Sequence, residues 1–171
     1  MRGKQLLAGG QHSSDEFLID SMVLMHYDGA HDDCVSWWEE VVSNGFKICV
    51  SIISLMERYK GVAGLPPGRR DDTLRQFEDR IAQMKKTRKI HRVFFIDRCI
   101  SKKAKQLLGD YCLHYTPPQE RRRVEALICD MLIAATALVN GLPLYTFNQA
   151  DFGWITGLQV VQPSYEPEKQ S

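Results

Sequence analysis

The sequence predicts an α/β domain built on a central parallel sheet of about five strands with helices on both faces. Three observations carry that prediction. Short apolar runs alternate with longer stretches of helical period, the pattern of strand–helix–strand units. The runs are brief and bounded by polar or turn residues, as buried strands are. The chain has 171 residues, 44% of them hydrophobic, enough for one compact domain with its own core.

The elements follow in order. "EFLID", 16 to 20, reads as a first strand ending in an acid. "DDCVSWWEEVVSNG" has helical period, with Cys34/Val35, Trp37/Trp38 and Val41/Val42 on one side, Asp32 or Asp33 available as cap, and Gly45 after the end. "FKICVS", 46 to 51, is a second strand and "ISLMERYKGVAG" a helix closed by glycine. "LPPGRR", 65 to 70, is a break, and then "DDTLRQFEDRIAQMKKTRK" forms a charged amphipathic helix with Leu74, Phe77, Ile81 and Met84 as its buried stripe. "RVFFID", 92 to 97, is a third strand, and "SKKAKQLLGDYCLHY" the helix after it. Past "TPP", a long helix runs from Glu120 to about Asn140 and stops at Gly141. "LPLYTF" and "LQVVQP" are the fourth and fifth strands. Residues 1–14 read as a flexible N-terminal tail, 15–164 as the domain and 165–171 as a polar C-terminal tail.

Composition narrows the function classes. With 22 basic and 21 acidic residues the chain is no polycation, although a local basic strip remains compatible with that balance. The longest apolar run is too short to span a bilayer, and "MRGKQLLAGGQHSS" lacks the apolar stretch of a secretory signal. Cys34, Cys49, Cys99, Cys112 and Cys129 are odd in number and widely spread, without CxxC or zinc-ligand spacing. They read as reduced core or half-buried thiols of a cytoplasmic protein. The five histidines show no metal-binding arrangement. No GxxxxGK[ST] loop and no D-x-D after the first strand point to a kinase or phosphatase.

The acids are more informative. From Ala126 to Val139 the long helix departs from hydrocarbon only at Cys129, Asp130 and Thr136. A carboxylate there cannot reach water as a lysine can, and burying it unpaired costs several kcal/mol or forces it to take a proton. Ligands of open parallel sheets gather at the carboxyl ends of the strands. Asp20 ends the first strand, Glu57 lies about a turn past the second, and Asn148 and Asp151 follow the fourth. With Asp130 they can converge on one face. Clustered carboxylates raise one another's pKa, and a divalent cation reverses that balance. Oxygen-only ligation points to Mg²⁺ or Mn²⁺, and such an ion suits phosphodiester hydrolysis. Each acid also has a bland reading: Asp20 as a cap, Glu57 as an exposed helix acid, Asp151 as a cap of a short turn. Asp130 is the one with least polar company.

Three blocks resemble the PIN-domain ribonucleases, especially VapC-type toxins of bacterial toxin–antitoxin pairs: "FLIDS", "VSIISLMERYKG" and "CDMLIAATALVNGLPLYTFNQADF". The third is the most specific, through D-x-x-I-A-A-T-A and T-x-N-x-x-D-F, and the resemblance spans about residues 16 to 163. It implies a PIN-like three-layer α/β/α fold and metal-dependent endonucleolytic cleavage of RNA. Asp20 and Asp130 would be the main Mg²⁺ (or Mn²⁺) ligands, and Glu57 would assist the metal or orient the attacking water. Asn148 stands where many relatives carry a fourth acid, with Asp151 as the nearby alternative. Ser21 and Thr146 would supply hydroxyls that hold the carboxylates. Relatives are commonly homodimers, and toxin members are held inactive by a cognate antitoxin. One departure is Met22, where the family usually has Asn. The alternative is therefore a catalytically degenerate PIN domain that binds RNA or serves in assembly. Arg123, seven residues before Asp130 in "ERRRVE", shares its helix face and is placed for a phosphate contact. Trp37, Trp38 and Trp154 offer stacking surfaces, although core or dimer packing suits the paired tryptophans better.

Overall fold

The computed structural model describes residues 15–114 and 121–166, excepting the side chains of His114 and residues 121–124. Its sheet contains β1 (Glu16–Ile19), β2 (Lys47–Ser51), β3 (Arg92–Phe94), β4 (Leu144–Tyr145) and β5 (Val160–Val161). All pairings are parallel, in the order β3-β2-β1-β4-β5. The helices are α1 (Ser21–Asp28), α2 (Asp32–Ser43), α3 (Ile52–Ala63), α4 (Pro67–Lys86), α5 (Arg98–His114), α6 (Arg121–Asn140) and the short α7 (Gln149–Phe152). This is the three-layer α/β arrangement that the alternating pattern predicts.

Strand period explains the layers. Phe17 and Ile19 face one side of the sheet, where Trp37, Trp38 and Val41 of α2 and Phe77, Ile81 and Met84 of α4 pack with Ile48, Val50 and Tyr145. Leu18, Cys49 and Leu144 face the other side, against Ile100, Ala104 and Leu107 of α5 and Met131 to Ala137 of α6. Each large side chain so buried contributes roughly 1.5–3 kcal/mol. Trp38, fully buried, also donates its indole N–H to the Lys89 carbonyl at 2.9 Å. Both paired tryptophans are thus core residues, with no exposed face for stacking on a base.

Several boundaries differ from the sequence reading. The α2 cap is His31, whose ring Nδ1 accepts from the Cys34 N–H at 3.4 Å, while Asp32 and Asp33 lie in the first turn. The break at 65–70 is shorter than its composition suggests, because Pro67 opens α4, a position where a missing N–H is harmless. Leu74 is half-buried rather than part of the buried stripe. The third strand keeps three of the six residues in "RVFFID", pairing along one edge with β2 alone, and Phe95 beyond it is exposed. Gly141 closes α6 at φ +63°, a left-handed conformation that glycine adopts freely, and the Leu142 N–H then returns to the Ala137 carbonyl at 2.9 Å. Cys34 and Cys49 are buried, and burial pushes their thiols up to about 11 and about 12. Cys99 and Cys112 are exposed, contrary to a core or half-buried reading. Tyr165, assigned from sequence to the polar tail, is buried against His26, Trp37 and Phe147. Residues 1–14 lie outside the described residues.

The strand order fixes where a ligand can sit. From β1 the chain steps outward through β2 to β3, then returns to the opposite side of β1 for β4. Adjacent strands β1 and β4 therefore send their following segments apart, opening a crevice at their carboxyl ends.

Candidate active site

Asp20 occupies that crevice. Its backbone is extended (φ −80°, ψ 178°), and Oδ1 accepts the Val23 N–H at 2.9 Å, so the residue caps α1. Oδ2 accepts the Thr146 hydroxyl from the end of β4. The capping role and membership of the acid group therefore coexist in one side chain, which is only 6% exposed. Burial raises the Asp20 pKa against the lowering effect of these hydrogen bonds, and the nearby Glu57 charge adds to the rise. Thr146 is itself fixed, because its oxygen accepts the Asn148 N–H at 2.9 Å.

Ser51 caps α3, donating no charge but accepting the Ile53 N–H at 3.2 Å. The turn that follows carries Glu57 toward the crevice. There its Oε2 accepts the Ser21 hydroxyl from the first residue of α1. A second donor is the Cys129 thiol of α6, which burial and the Glu57 charge hold protonated, up to about 11.

Asp130 approaches from α6, half-buried and without a hydrogen-bond or cationic partner among the described residues. Burial raises its pKa most, then the charges of Asp151, Glu57 and Asp20, to about 7. The four acids therefore sense one another across one site, although they come from four separate segments. Asp151, exposed in the single turn of α7, accepts the Asn148 side-chain amide. Asp151 does not cap that turn. Asn148 holds the cap position, with its side chain directed to Asp151 rather than to the helix backbone. Trp154 closes this corner by donating its indole N–H to the Asp151 carbonyl at 2.8 Å.

Asp20, Glu57, Asp130, Asn148 and Asp151 thus come together, with Ser21 and Thr146 bonded to two of the acids. The side chain of Arg123 lies outside the described part of α6. Met22 is exposed, and it is its backbone N–H that serves the site, joining that of Val23 on the Asp20 carboxylate. Sequence reasoning missed two neighbours. Cys129 bonds Glu57, and its place beside Asp130 was the available signal. Lys60, one turn after Glu57, pairs with Glu125 of α6 at 2.8 Å and supplies positive charge at the rim.

In kind, the donor set suits a hard divalent cation: oxygen-only carboxylates, one of them unpaired and pushed toward neutrality by its neighbours. As the side chains stand, no group of three or more His, Cys, Asp or Glu among the described residues forms a ready ion grip. Asp20 and Glu57 are instead turned to their hydroxyl donors, the arrangement that lowers repulsion between carboxylates without an ion.

With this geometry in place, comparison with known proteins is informative. The PIN domain family model matches residues 17–152, most of the chain, and the chain belongs to that family. Among solved structures, it is similar to VapBC2 from Rickettsia felis bound to a DNA fragment from their promoter (16% identity, TM-score 0.63, covering 86% of this chain and 98% of that one). It is likewise similar to DNA-bound VapBC from Salmonella typhimurium (21% identity, TM-score 0.61, covering 86% and 97%). A third is VapBC-5 from Mycobacterium tuberculosis, a member of the VapBC family of toxin–antitoxin systems (16% identity, TM-score 0.55, covering 86% and 98%). At these identities the likeness is one of fold. A search of curated proteins gives no match.

Proposed function

We propose that this chain is a metal-dependent endoribonuclease of the PIN-domain family and the toxin component of a toxin–antitoxin pair. The observation that carries the reading is Asp130, half-buried, without a partner among the described residues, and raised to about 7 by burial and three acids around it. Such an arrangement is costly unless a cation uses it. Membership of a nuclease family whose members generally use divalent metal ions supports the same reading.

Asp20 and Asp130 would hold Mg²⁺ or Mn²⁺. When bound, the ion offsets the summed negative charge and polarises a phosphodiester for attack by water. Thr146 and the α1 backbone fix Asp20, so that its orientation is set before substrate arrives. Ser21 fixes Oε2 of Glu57, and the carboxylate so oriented would position the attacking water and take its proton. Asn148 anchors Asp151 at the open side of the site. Arg123, seven residues before Asp130 in the sequence, would bind a neighbouring phosphate of the RNA. The partner would be a cognate antitoxin, as the similarity to a VapBC toxin–antitoxin member suggests, and the chain would act as a homodimer.

Met22 motivates the second reading, a degenerate PIN domain that binds RNA without cutting it. The test is cleavage of a mixed single-stranded and structured RNA panel with Mn²⁺, Mg²⁺ or EDTA, beside Asp20→Asn and Asp130→Asn. Metal-dependent cutting lost in both variants supports the nuclease. A folded protein that binds RNA and cuts nothing in any metal supports the second reading.

A further inference from the structure

Two rungs join α3 to α6 beside the acid site. The inner one is half-buried, Glu57 with the Cys129 thiol. The outer one is the Lys60–Glu125 ion pair, 2.8 Å long, with both side chains 73% exposed. Lys60 follows Glu57 by three residues and Glu125 precedes Cys129 by four, so each helix carries both of its members on one face. The ion pair therefore stands on the solvent side of the acid site, about one helical turn from the groups within it.

Its electrical reach sets this pair apart. Lys60 senses the charges of Glu57 and Cys129 and acts on Cys129 in return. The shifts of Asp20 and Asp130 draw on burial, hydrogen bonds and neighbouring acids, and on no cation among the described residues. Arg58, next to Glu57 in sequence, is committed elsewhere, to the largely buried Asp28. A polyanion approaching four carboxylates meets repulsion that a local cation offsets. Lys60 is the described side chain placed to supply it.

Glu125 stands where a phosphate would. Both present a charged oxygen to the ammonium, and a lysine on its flexible four-carbon stem can pass from one to the other. The hydrogen bond and attraction between the partners hold Lys60 above and Glu125 below their ordinary pKa values, so both are charged at neutral pH. An ion pair this exposed adds little to the fold, so exchanging its partner disturbs little. We propose that Lys60 binds an RNA phosphate beside the one being cut, and that Glu125 is its internal competitor, holding the ammonium until RNA displaces it. The inference takes its substrate from the nuclease reading. It adds a binding residue and a built-in brake on RNA affinity.

The test is binding of a labelled single-stranded RNA, about a dozen nucleotides of mixed sequence, to full-length protein. Fluorescence anisotropy in EDTA at several salt concentrations gives affinity without cutting. Lys60→Gln should weaken binding roughly three- to tenfold at low salt and reduce the salt slope of log K by about 0.7. Lys60→Arg, which keeps the charge, should restore most of both. Glu125→Gln should tighten binding about two- to fivefold, and most of that gain should vanish in Lys60→Gln/Glu125→Gln. A merely structural tie between α3 and α6 would make both single substitutions act in the same direction, and that result would overturn the proposal. An equal gain from Glu125→Gln with and without Lys60 would reduce Glu125 to a general field effect and overturn the competitor role. Poly-glutamate that displaces RNA as well as a polynucleotide of equal charge would assign Lys60 to protein carboxylates and overturn the phosphate assignment. RNA binding indifferent to Lys60→Gln would sink this inference alone, whereas no RNA binding by wild type even at low salt would sink the nuclease reading with it.

Discussion

Asp130→Asn should make this protein more stable, and by an amount that depends on pH. In the folded protein the Asp130 carboxyl titrates at about 7, against 3.8 when unperturbed, because burial and the charges of Asp151, Glu57 and Asp20 disfavour its ionised form. At ~1.36 kcal/mol per pH unit the gap corresponds to about 4 kcal/mol, and partial exposure discounts it to about 2–4 kcal/mol. The sign follows from proton binding. Between pH 3.8 and about 7 the folded state binds the proton and the unfolded state does not, so stability falls as pH rises through that window. Above pH 7 the whole penalty is present, and below pH 4 it is absent. Asparagine has nearly the same shape and no charge, so it removes the penalty. In EDTA at pH 8 the variant should melt roughly 4–16 °C above wild type, and the difference should shrink toward zero near pH 4. Mn²⁺ should stabilise wild type and leave the variant unmoved. Thermal melts read by circular dichroism across pH 4–8 provide the assay. A variant less stable than wild type at pH 8, or a difference independent of pH, would refute the reasoning.

Other perturbations probe the supports around the site. Thr146→Val keeps the buried shape but strips the hydrogen bonds to Asp20 and from the Asn148 N–H, so urea denaturation should show a loss of about 1–3 kcal/mol; an unchanged midpoint would mean that the hydroxyl holds nothing. Asp28 is largely buried and ties α1 to Arg58 of α3 at 2.6 Å and to Arg80 of α4 at 3.1 Å. Asp28→Ala, which leaves both guanidinium groups without that partner, should cost about 2–3 kcal/mol by the same method, and a loss below 0.5 kcal/mol would count against it. Arg123→Ala should weaken RNA binding and reduce the salt slope of log K by about 1, measured by fluorescence anisotropy at several salt concentrations. An unchanged slope would remove Arg123 from the RNA path.

Much of this arrangement can be read from the chain. Asp130 is conspicuous because its helix is otherwise so apolar, and Asp20 and Asp151 follow strand signals directly. What cannot be read locally is pairing across sequence distance. Ser21 finds Glu57 36 residues away and Thr146 finds Asp20 126 residues away, contacts set by the order in which β1 and β4 become neighbours. Helix α1 escapes a periodicity reading because Met22 and Met25 are exposed while Val23 and Leu24 are buried, which leaves a pattern only one turn deep. The single turn of α7 is too short to show a period at all. The "LPPGRR" segment misleads because Pro67 starts a helix as readily as it breaks one. In β3 the apolar run continues past the last ladder residue, and no third layer covers Phe95.

The central claim is that four acids from separate segments form one metal-dependent catalytic site. Mn²⁺ binding followed by electron paramagnetic resonance of the free ion, with RNA cleavage measured on the same samples, tests it most directly. Wild type should bind Mn²⁺ and cut RNA with matching dependence on its concentration, and Asp20→Asn and Asp130→Asn should lose both together. Unchanged Mn²⁺ binding by Asp130→Asn, or cutting that persists in EDTA, would contradict the account.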